Sequence, residues 1–125
     1  MVASCAYPNR IGSWSYRAKP AMTIEQTIQR ARQGDEKAIA ALYEMHADVI
    51  YRYILYRVPT SHDAEDLTAE VFLRMVEGLP KYKITGAPFE SWLYRIASAR
   101  IADFYRRNKR QQETMLDERI SDSQP

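Results

Sequence analysis

The sequence predicts an all-α protein: a compact bundle of about four helices, the second to fourth being the longest, with a loop before the last. Apolar residues recur at three- and four-residue intervals through most of the chain after residue 22, which is helical spacing. Glycine occurs only four times, so the long segments contain few turn signals. A chain of 125 residues with 46% hydrophobic residues suits one domain with tails.

The first helix is predicted to begin at Thr23 and to stop near Gly34. Thr23 and Gln26 have the spacing of a capping box, and glycine tolerates the positive φ of a helix C-terminus. Residues 1–22 mix prolines and aromatics with few charges and lack the apolar core of a signal peptide. We therefore expect residues 1–22 to be a disordered extension.

Asp35 is a candidate N-cap for the second helix, which is expected to continue to Pro59 because the residue before a proline disfavours helical backbone. The apolar stripe of this helix is Ile39, Leu42, Tyr43, His46, Val49, Ile50, Tyr53, Ile54 and Arg57. The third helix is predicted to begin near Ser61 and to end at Gly78 and Pro80. Its buried stripe is Ala64, Leu67, Val71, Met75 and Leu79.

Residues 80–88, with a proline at each end, are the clearest loop in the chain. The fourth helix is predicted from Phe89 to about Arg110. Its apolar face consists of Phe89, Trp92, Leu93, Ile96, Ala97, Ile101 and Phe104. Residues 111–125 are polar. The predicted organisation is an extension over residues 1–22, a helical domain over 23–112 and the start of an interdomain linker over 113–125.

Several classes of function find no support in the sequence. Cys5 is the only cysteine, which excludes an internal disulfide and favours a reducing cytoplasm. The uncharged runs are too short for a membrane span. His46 and His62 have no cysteine partner, and His46 is expected to be a core histidine. We see no catalytic constellation, so we predict a protein that is not an enzyme and that has no metal or cofactor.

The charges divide the predicted domain into an acidic part and a basic part. The third helix carries Asp63, Glu65, Asp66, Glu70 and Glu77 against Arg74 alone. The loop and the fourth helix carry Lys81, Lys83, Arg95, Arg100, Arg106, Arg107, Lys109 and Arg110 against Glu90 and Asp103. A basic helix beside a basic loop attracts a phosphate backbone, and such binding is salt-sensitive. The alternative is that both faces are ordinary solvated surface.

Three segments together resemble the extracytoplasmic-function (ECF) sigma factors. They are DAEDLTAEVFLR over residues 63–74, FESWLYRIA over 89–97 followed by DFYRR over 103–107, and the opening GDEKA over 34–38 with Leu42 and Tyr43. The resemblance extends from about Thr23 to about Gln112, and the motifs occur in the family's order. It implies a helical domain that joins core RNA polymerase and opens the promoter.

The resemblance implies that the third helix docks on the clamp coiled coil of the largest polymerase subunit. The polymerase-binding residues predicted from it are Glu65, Asp66, Ala69, Glu70, Phe72 and Leu73. Exposed acidic side chains need a basic partner, and an exposed aromatic such as Phe72 can anchor the interface. The alternative for Phe72 is core packing. Position 69 is often a polar amide in the family, so one clamp hydrogen bond is expected to be missing.

The resemblance further implies that the loop captures an unstacked base of the minus-ten element. Tyr82 is predicted to stack on that base while Lys81 and Lys83 hold the backbone. The alternative for Tyr82 is packing against the fourth helix. The loop is about one residue longer than is usual in the family.

The fourth helix is implied to read the upstream part of the minus-ten element and to grip phosphates. The predicted contacts are Arg95, Arg100, Arg106, Arg107, Lys109 and Arg110. Trp92 and Phe89 are expected in the core, and Asp103 is expected to be structural and to orient a neighbouring arginine. Position 99 is often asparagine in the family, and Ala99 lacks that amide.

We therefore predict a sigma factor domain that binds core polymerase and partly single-stranded minus-ten DNA. The alternative is a protein-interaction module that occupies polymerase or an anti-sigma factor without binding DNA. An anti-sigma factor is a further candidate partner in either case, and no membrane is involved. Nothing after residue 112 predicts the helix-turn-helix domain of complete family members, so we expect an excised domain or a truncated chain.

Overall fold

Residues 22–123 form four α-helices joined by short connections. The computed structural model describes the backbone of these residues and the side chains as far as residue 118. The helices are α1 (Ile24–Arg32), α2 (Glu36–Leu55), α3 (Ser61–Gly78) and α4 (Phe89–Ser123), and a 3₁₀ turn at Leu79–Lys81 follows α3. The predicted all-α bundle is confirmed. The predicted extension lies, except for Met22, outside the described residues.

Side-chain caps begin the first three helices. Thr23 and Gln26 form both hydrogen bonds of the capping box, each 3.1 Å long. The Asp35 carboxylate accepts a 3.0 Å bond from the Lys37 amide, and the Thr60 hydroxyl accepts a 3.0 Å bond from the Asp63 amide. Each cap satisfies a backbone donor that has no partner within its helix and stabilises the helix by about 1 kcal/mol.

Gly34 makes the corner between α1 and α2. Its φ of 91° lies in the left-handed region that glycine enters without steric cost. The predicted end of α1 near Gly34 and the predicted start of α2 after Asp35 are therefore confirmed. This corner folds α1 back against α2.

The core lies where α3 packs against both α2 and α4. Every residue of the predicted α3 stripe is buried, and α2 and α4 add Leu42, Ile50, Ile54, Leu93 and Ala97. The predicted α2 stripe was too broad, because Tyr43 is 48% exposed and Val49 is 38% exposed. A helix buries only the arc that faces its neighbours, and these two residues lie at the edges of that arc.

α2 ends at Leu55, earlier than the predicted end at Pro59. The Arg57 amide donates a 2.8 Å bond to the Ile54 carbonyl, which tightens the last turn. The Tyr105 hydroxyl donates a 2.6 Å bond to the Arg57 carbonyl. A side chain of α4 thus satisfies a backbone acceptor at the end of α2, and this contact fixes the chain's turn towards α3.

α4 does not end near Arg110 as predicted but continues to Ser123. The polar composition after residue 110 suggested a linker. That stretch nevertheless contains good helix formers, and neither glycine nor proline interrupts it before Pro125. Met115 and Leu116 are about half exposed on this extension. None of the helices within residues 22–123 has the length and apolar content of a membrane span.

His46 is a core histidine whose ring nitrogens both face polar groups. It is only 6% exposed, and its Nδ1 lies 2.8 Å from the Leu42 carbonyl oxygen. Because a carbonyl oxygen only accepts, Nδ1 carries the proton in this contact. Its Nε2 lies 3.9 Å from Glu90 Oε1 in the first turn of α4. The expectation of a satisfied core histidine is confirmed.

Candidate nucleic-acid and protein interfaces

The segment between α3 and α4 forms a groove beside the first turns of α4. The groove has a volume of about 290 Å³ and is lined by Lys81, Tyr82, Lys83, Thr85, Ala87, Pro88, Ser91, Trp92 and Arg95. Lys81, Lys83 and Arg95 are exposed, and the lining contains no carboxylate. The structure therefore brings two predicted lysines of the loop and one predicted arginine of α4 around one concave, positively charged site.

Tyr82 is part of an aromatic cluster and is only partly exposed. Its ring centroid lies 5.2 Å from that of Phe89, edge-on, and 4.6 Å from that of Trp92. Packing against the fourth helix, the alternative considered for Tyr82, is thus what the structure contains. The ring forms a wall of the groove, and its predicted stacking on a base stays a prediction.

Trp92 lines the groove, whereas the sequence assigned it to the core together with Phe89. Phe89 is buried at 5% exposure, but Trp92 is only partly buried. Trp92 is three residues before Arg95 and three after Phe89, which places it at the border between the apolar and basic faces of α4. This spacing was the signal in the sequence from which a position at the edge of the groove could have been predicted.

Gly78 allows Trp92 to approach the end of α3. A Cβ at position 78 would lie 2.9 Å from Trp92 Cζ2, which is closer than packed atoms allow. The loop itself is ordered locally, because the Thr85 hydroxyl accepts a 3.1 Å bond from the Ala87 amide. The lack of a side chain at the end of α3 therefore determines the position of one wall of the groove.

A row of exposed cations continues from the groove along α4. Arg95 and Arg106 are eleven residues apart, which is about three helical turns and about 16 Å on one face. Lys109 and Arg110 extend the row by a further turn, and all four are exposed. Arg95 and the group of Arg106, Lys109 and Arg110 therefore offer two positively charged points, about 16 Å apart, on one face of α4.

Arg100 and Arg107 lie apart from this row. The Arg100 side chain is only 19% exposed and binds Asp103 at 3.0 Å. Arg107 Nη2 lies 3.9 Å from Glu70 Oε2 on α3. Both arginines therefore flank α4 on a side different from that of Arg95, and their predicted phosphate contacts stay predictions.

Asp103 binds two arginines of its own helix. Arg106 hydrogen bonds to Oδ1 and Arg100 to Oδ2. The hydrogen bond from Arg106 is the main reason that the pKa of Asp103 is below its ordinary value; desolvation opposes it, and the charge of Arg100 adds to it. The expectation that Asp103 orients a neighbouring arginine agrees with this geometry.

The outer face of α3 carries most of the residues predicted to contact polymerase. Glu65, Asp66 and Ala69 are exposed, Leu73 is 57% exposed and Glu70 is partly exposed. These positions form a continuous arc on the side of α3 away from the core. The acidic surface therefore lies apart from the basic groove, as the distribution of charge predicted.

Phe72 is the exception. It is only 6% exposed, and its ring lies edge-on to Tyr43 with centroids 4.9 Å apart. The expectation of an exposed aromatic anchor is wrong because position 72 lies on the flank of α3 that packs against α2. Core packing, the alternative considered for Phe72, is what the structure contains.

A second groove lies between α2 and α3, beside the acidic surface. It has a volume of about 510 Å³ and is lined by Tyr43, Ala47, Asp48, Tyr51, Glu65, Thr68, Ala69 and Phe72. Tyr43 was expected on the apolar stripe of α2, and Ala47, Asp48 and Tyr51 were not predicted to contribute to a site. The four-residue spacing of Tyr43, Ala47 and Tyr51 was the available signal, because it places them in one row along α2.

Comparison with known families identifies the domain. The family model described as sigma-70 region 2 matches residues 42–111. The chain belongs to the sigma-70 region 2 family. The matched residues include most of α2, all of α3, the loop groove and the basic row of α4, so both candidate interfaces lie within the matched range.

The similar curated proteins are ECF sigma factors, which confirms the resemblance found in the sequence. The chain is 37% identical over 84 residues to the ECF RNA polymerase sigma factor BldN of Streptomyces coelicolor, covering 67% of this chain and 32% of that protein. It is 32% identical over 88 residues to SigW of Bacillus subtilis, covering 70% of this chain and 46% of that protein. The chain thus spans less than half the length of these relatives.

Two solved structures have similar folds. One is a complex of RsbN and BldN, with a TM-score of 0.58 and 41% identity over 61% of this chain and 55% of that chain. The other is an engineered region 2 of sigmaE in complex with GTAAAA, with a TM-score of 0.66 and 26% identity over 72% of this chain and 93% of that chain. The helical arrangement described above is therefore that of a sigma region 2 domain.

Proposed function

We propose that this domain binds core RNA polymerase and recognises and melts the minus-ten element of a promoter. In this proposal it acts in the cytoplasm by binding and not by catalysis. The observation that carries the proposal is the groove of Lys81, Lys83 and Arg95, which continues into the exposed cationic row of α4. Its aromatic wall of Tyr82 and Trp92 supplies a surface for an unstacked base.

The groove and the cationic row have complementary tasks in this proposal. An extruded base enters the groove, where stacking on an aromatic ring contributes about 1–3 kcal/mol. The cations on either side neutralise the neighbouring phosphates and fix the register of the strand. Because the separated strand is bound and the duplex is not, binding shifts the equilibrium towards the melted promoter. The similar fold of sigmaE region 2 in complex with GTAAAA supports this assignment.

Core polymerase is proposed to bind the arc of α3 formed by Glu65, Asp66, Ala69, Glu70 and Leu73. Its acidic side chains match a basic partner, and the exposed Leu73 supplies apolar contact area. The groove between α2 and α3 extends this surface through Tyr43 and Tyr51. Phe72 supports the floor of that groove, so it acts by shaping the surface and not as an exposed anchor.

An anti-sigma factor is a further proposed partner. The similarity to BldN in its complex with RsbN supports this proposal. The prediction that residues 113–125 begin an interdomain linker also stays a proposal, with the change that their backbone is helical as far as Ser123.

Fluorescence anisotropy with a labelled single-stranded minus-ten oligonucleotide tests the DNA half of the proposal. We expect binding that weakens steeply between 50 and 200 mM salt. The double variant Lys81→Ala, Lys83→Ala is expected to bind more weakly. The single variants Lys81→Ala and Lys83→Ala are compared with the control Lys37→Ala, because Lys37 is an exposed lysine at the start of α2 outside the groove.

Pull-down with core polymerase tests the other half and separates the two functions considered from the sequence. Binding of both DNA and polymerase supports the sigma factor domain. Binding of polymerase without salt-dependent binding of DNA would instead identify a protein-interaction module that occupies polymerase.

A further inference from the structure

We propose that Asp103 is a positioning residue for promoter binding, holding Arg106 in the conformation that contacts the DNA backbone. This inference rests on the proposed function, because it concerns the same cationic row. Asp103 itself does not contact DNA in this proposal. Its carboxylate acts through the guanidinium that it binds.

The geometry that supports the proposal is a carboxylate shared between two arginines. Arg106 uses Nη2 to bind Oδ1, and Arg100 uses Nη2 to bind Oδ2. The Arg100 side chain is only 19% exposed, so it has less freedom to move than Arg106 and supports the carboxylate from its other oxygen. Arg106 is 67% exposed and lies in the row that begins at Arg95. The exposed Arg106 is thus bound by the Asp103 carboxylate, and that carboxylate is also bound by the mostly covered Arg100.

This arrangement leaves Arg106 able to bind phosphate. A guanidinium has five N–H donors, and the bond to Asp103 uses one nitrogen. The remaining donors are available for phosphate oxygens. A free arginine loses much rotamer freedom when it binds, and one already held in place loses less. Asp103 therefore lowers the entropic cost of each phosphate contact that Arg106 makes.

Simple electrostatics predicts the opposite effect for this residue. A carboxylate within a surface that binds phosphates repels them, so removing its charge should tighten DNA binding. Asp103 stays ionised near neutral pH, since its pKa is lowered by the bond from Arg106. The two effects have opposite signs, and the sign of the change in affinity identifies the stronger one.

The test is a double-mutant cycle on the whole chain, measured by anisotropy with the single-stranded minus-ten oligonucleotide. We expect Asp103→Asn to bind about three- to tenfold more weakly than wild type, although it removes a negative charge. In the Arg106→Gln background we expect the same substitution to leave affinity unchanged or to raise it, because only repulsion remains there.

One further variant and a folding control accompany the cycle. Arg106→Lys retains the charge but not the planar fork, and we expect it to lose affinity as Asp103→Asn does. Circular dichroism melts establish that each variant is folded at the assay temperature, and Arg106→Lys tests the proposal if Asp103→Asn is not folded.

Equal or tighter binding by Asp103→Asn would overturn the proposal, as would the same loss of affinity in the Arg106→Gln background. A wild-type protein that shows no salt-dependent binding at all would instead refute the proposed function.

Discussion

Arg107 of α4 lies 3.9 Å from Glu70 of α3, so the helix assigned to DNA and the helix assigned to polymerase face each other through opposite charges. Arg106, the preceding residue, binds Asp103 and otherwise faces solvent. Consecutive helical residues project about 100° apart, which gives these two arginines different environments. Their adjacency in the sequence therefore does not make them equivalent.

Arg106→Ala and Arg107→Ala are expected to differ in their effect on DNA binding. For a single strand, each phosphate contact contributes about 0.7 to the slope of log affinity against log salt. We expect Arg106→Ala to reduce that slope by about this amount. We expect Arg107→Ala to change it by less than half as much, because Glu70 already neutralises part of the charge of Arg107.

Anisotropy titrations at four salt concentrations measure both slopes. The control is Glu70→Gln, which frees Arg107 and is expected to increase the effect of the Arg107→Ala substitution made in that background. Equal changes in slope for the two single variants would contradict the separation of Arg106 from Arg107.

Phe72→Ala is expected to destabilise the domain and not merely to weaken a surface contact. Phe72 is 6% exposed and packs edge-on against Tyr43. Truncating a buried phenylalanine typically lowers the free energy of unfolding by about 3–5 kcal/mol. Urea denaturation followed by circular dichroism measures the change, and a loss below about 1 kcal/mol would count against the burial of this ring.

Asp66→Ala is the complementary change on the same helix. The Asp66 side chain is 66% exposed, and its Oδ2 lies 3.5 Å from Nε2 of the exposed His62. Exposed polar contacts of this kind contribute little, so we expect the free energy of unfolding to change by less than about 0.5 kcal/mol. Core polymerase affinity is expected to fall. Equal retention of wild type and variant in a polymerase pull-down would remove Asp66 from the contact set.

The fold was largely predictable from the sequence because the helix caps, the glycine corner and the apolar spacing all indicated the same helices. The caps at Thr23 and Asp35, the glycine corner at Gly34 and the α3 stripe all depend on residues close together in the chain. The two wrong helix ends had different causes. α2 stops at Leu55 and its last turn is closed by the Arg57 amide, while Tyr105 of α4 bonds the Arg57 carbonyl just beyond the helix, a contact that periodicity within α2 does not reveal. α4 continues because helix propensity outweighs polar composition.

The candidate site was predictable in its composition but not in its geometry. The cations of the groove were identified by charge and by the family resemblance. The roles of Trp92, Tyr82 and Phe72 depend on which neighbour each aromatic ring meets. Those contacts join residues from different elements, and periodicity within one helix gives no information about them.

Gly78→Ala is expected to change the groove without straining the backbone. The φ of Gly78 is −90°, which any residue adopts, and alanine normally favours helix over glycine by about 0.5–1 kcal/mol. Here the added methyl would lie 2.9 Å from Trp92 Cζ2 and would displace the indole. We therefore expect weaker binding of minus-ten DNA with little loss of helical content.

Tryptophan fluorescence in a Trp14→Phe background reports on Trp92 alone, because the chain has only two tryptophans. A shifted emission maximum in Gly78→Ala, together with reduced DNA affinity, is the expected result. Gly86→Ala is the matched control, since a Cβ at position 86 meets no atom within 4 Å. An unchanged spectrum and affinity in Gly78→Ala would show that Trp92 does not depend on this contact.

Acid titration tests the Asp103–Arg106 bond independently of DNA. The folded pKa of Asp103 is lower than its unfolded value, chiefly because of the hydrogen bond from Arg106. A carboxyl with a lowered folded pKa contributes stability that is fully present above its unfolded pKa of about 4 and is lost as the pH falls through the folded pKa. We therefore expect the Asp103 carboxyl carbon, followed by NMR, to titrate below that value.

In Arg106→Gln the same carbon is expected to titrate at a higher pH than in the wild type, because the main cause of the lowering is removed while Arg100 remains. Arg110 is an exposed arginine one helical turn after Arg106 and does not bind Asp103. Arg110→Gln therefore controls for the general loss of positive charge. If both variants shift the titration equally, the bond between Arg106 and Asp103 is not its cause. A shift confined to Arg106→Gln would show that Asp103 and Arg106 are bonded in solution, and the positioning role of Asp103 depends on that bond.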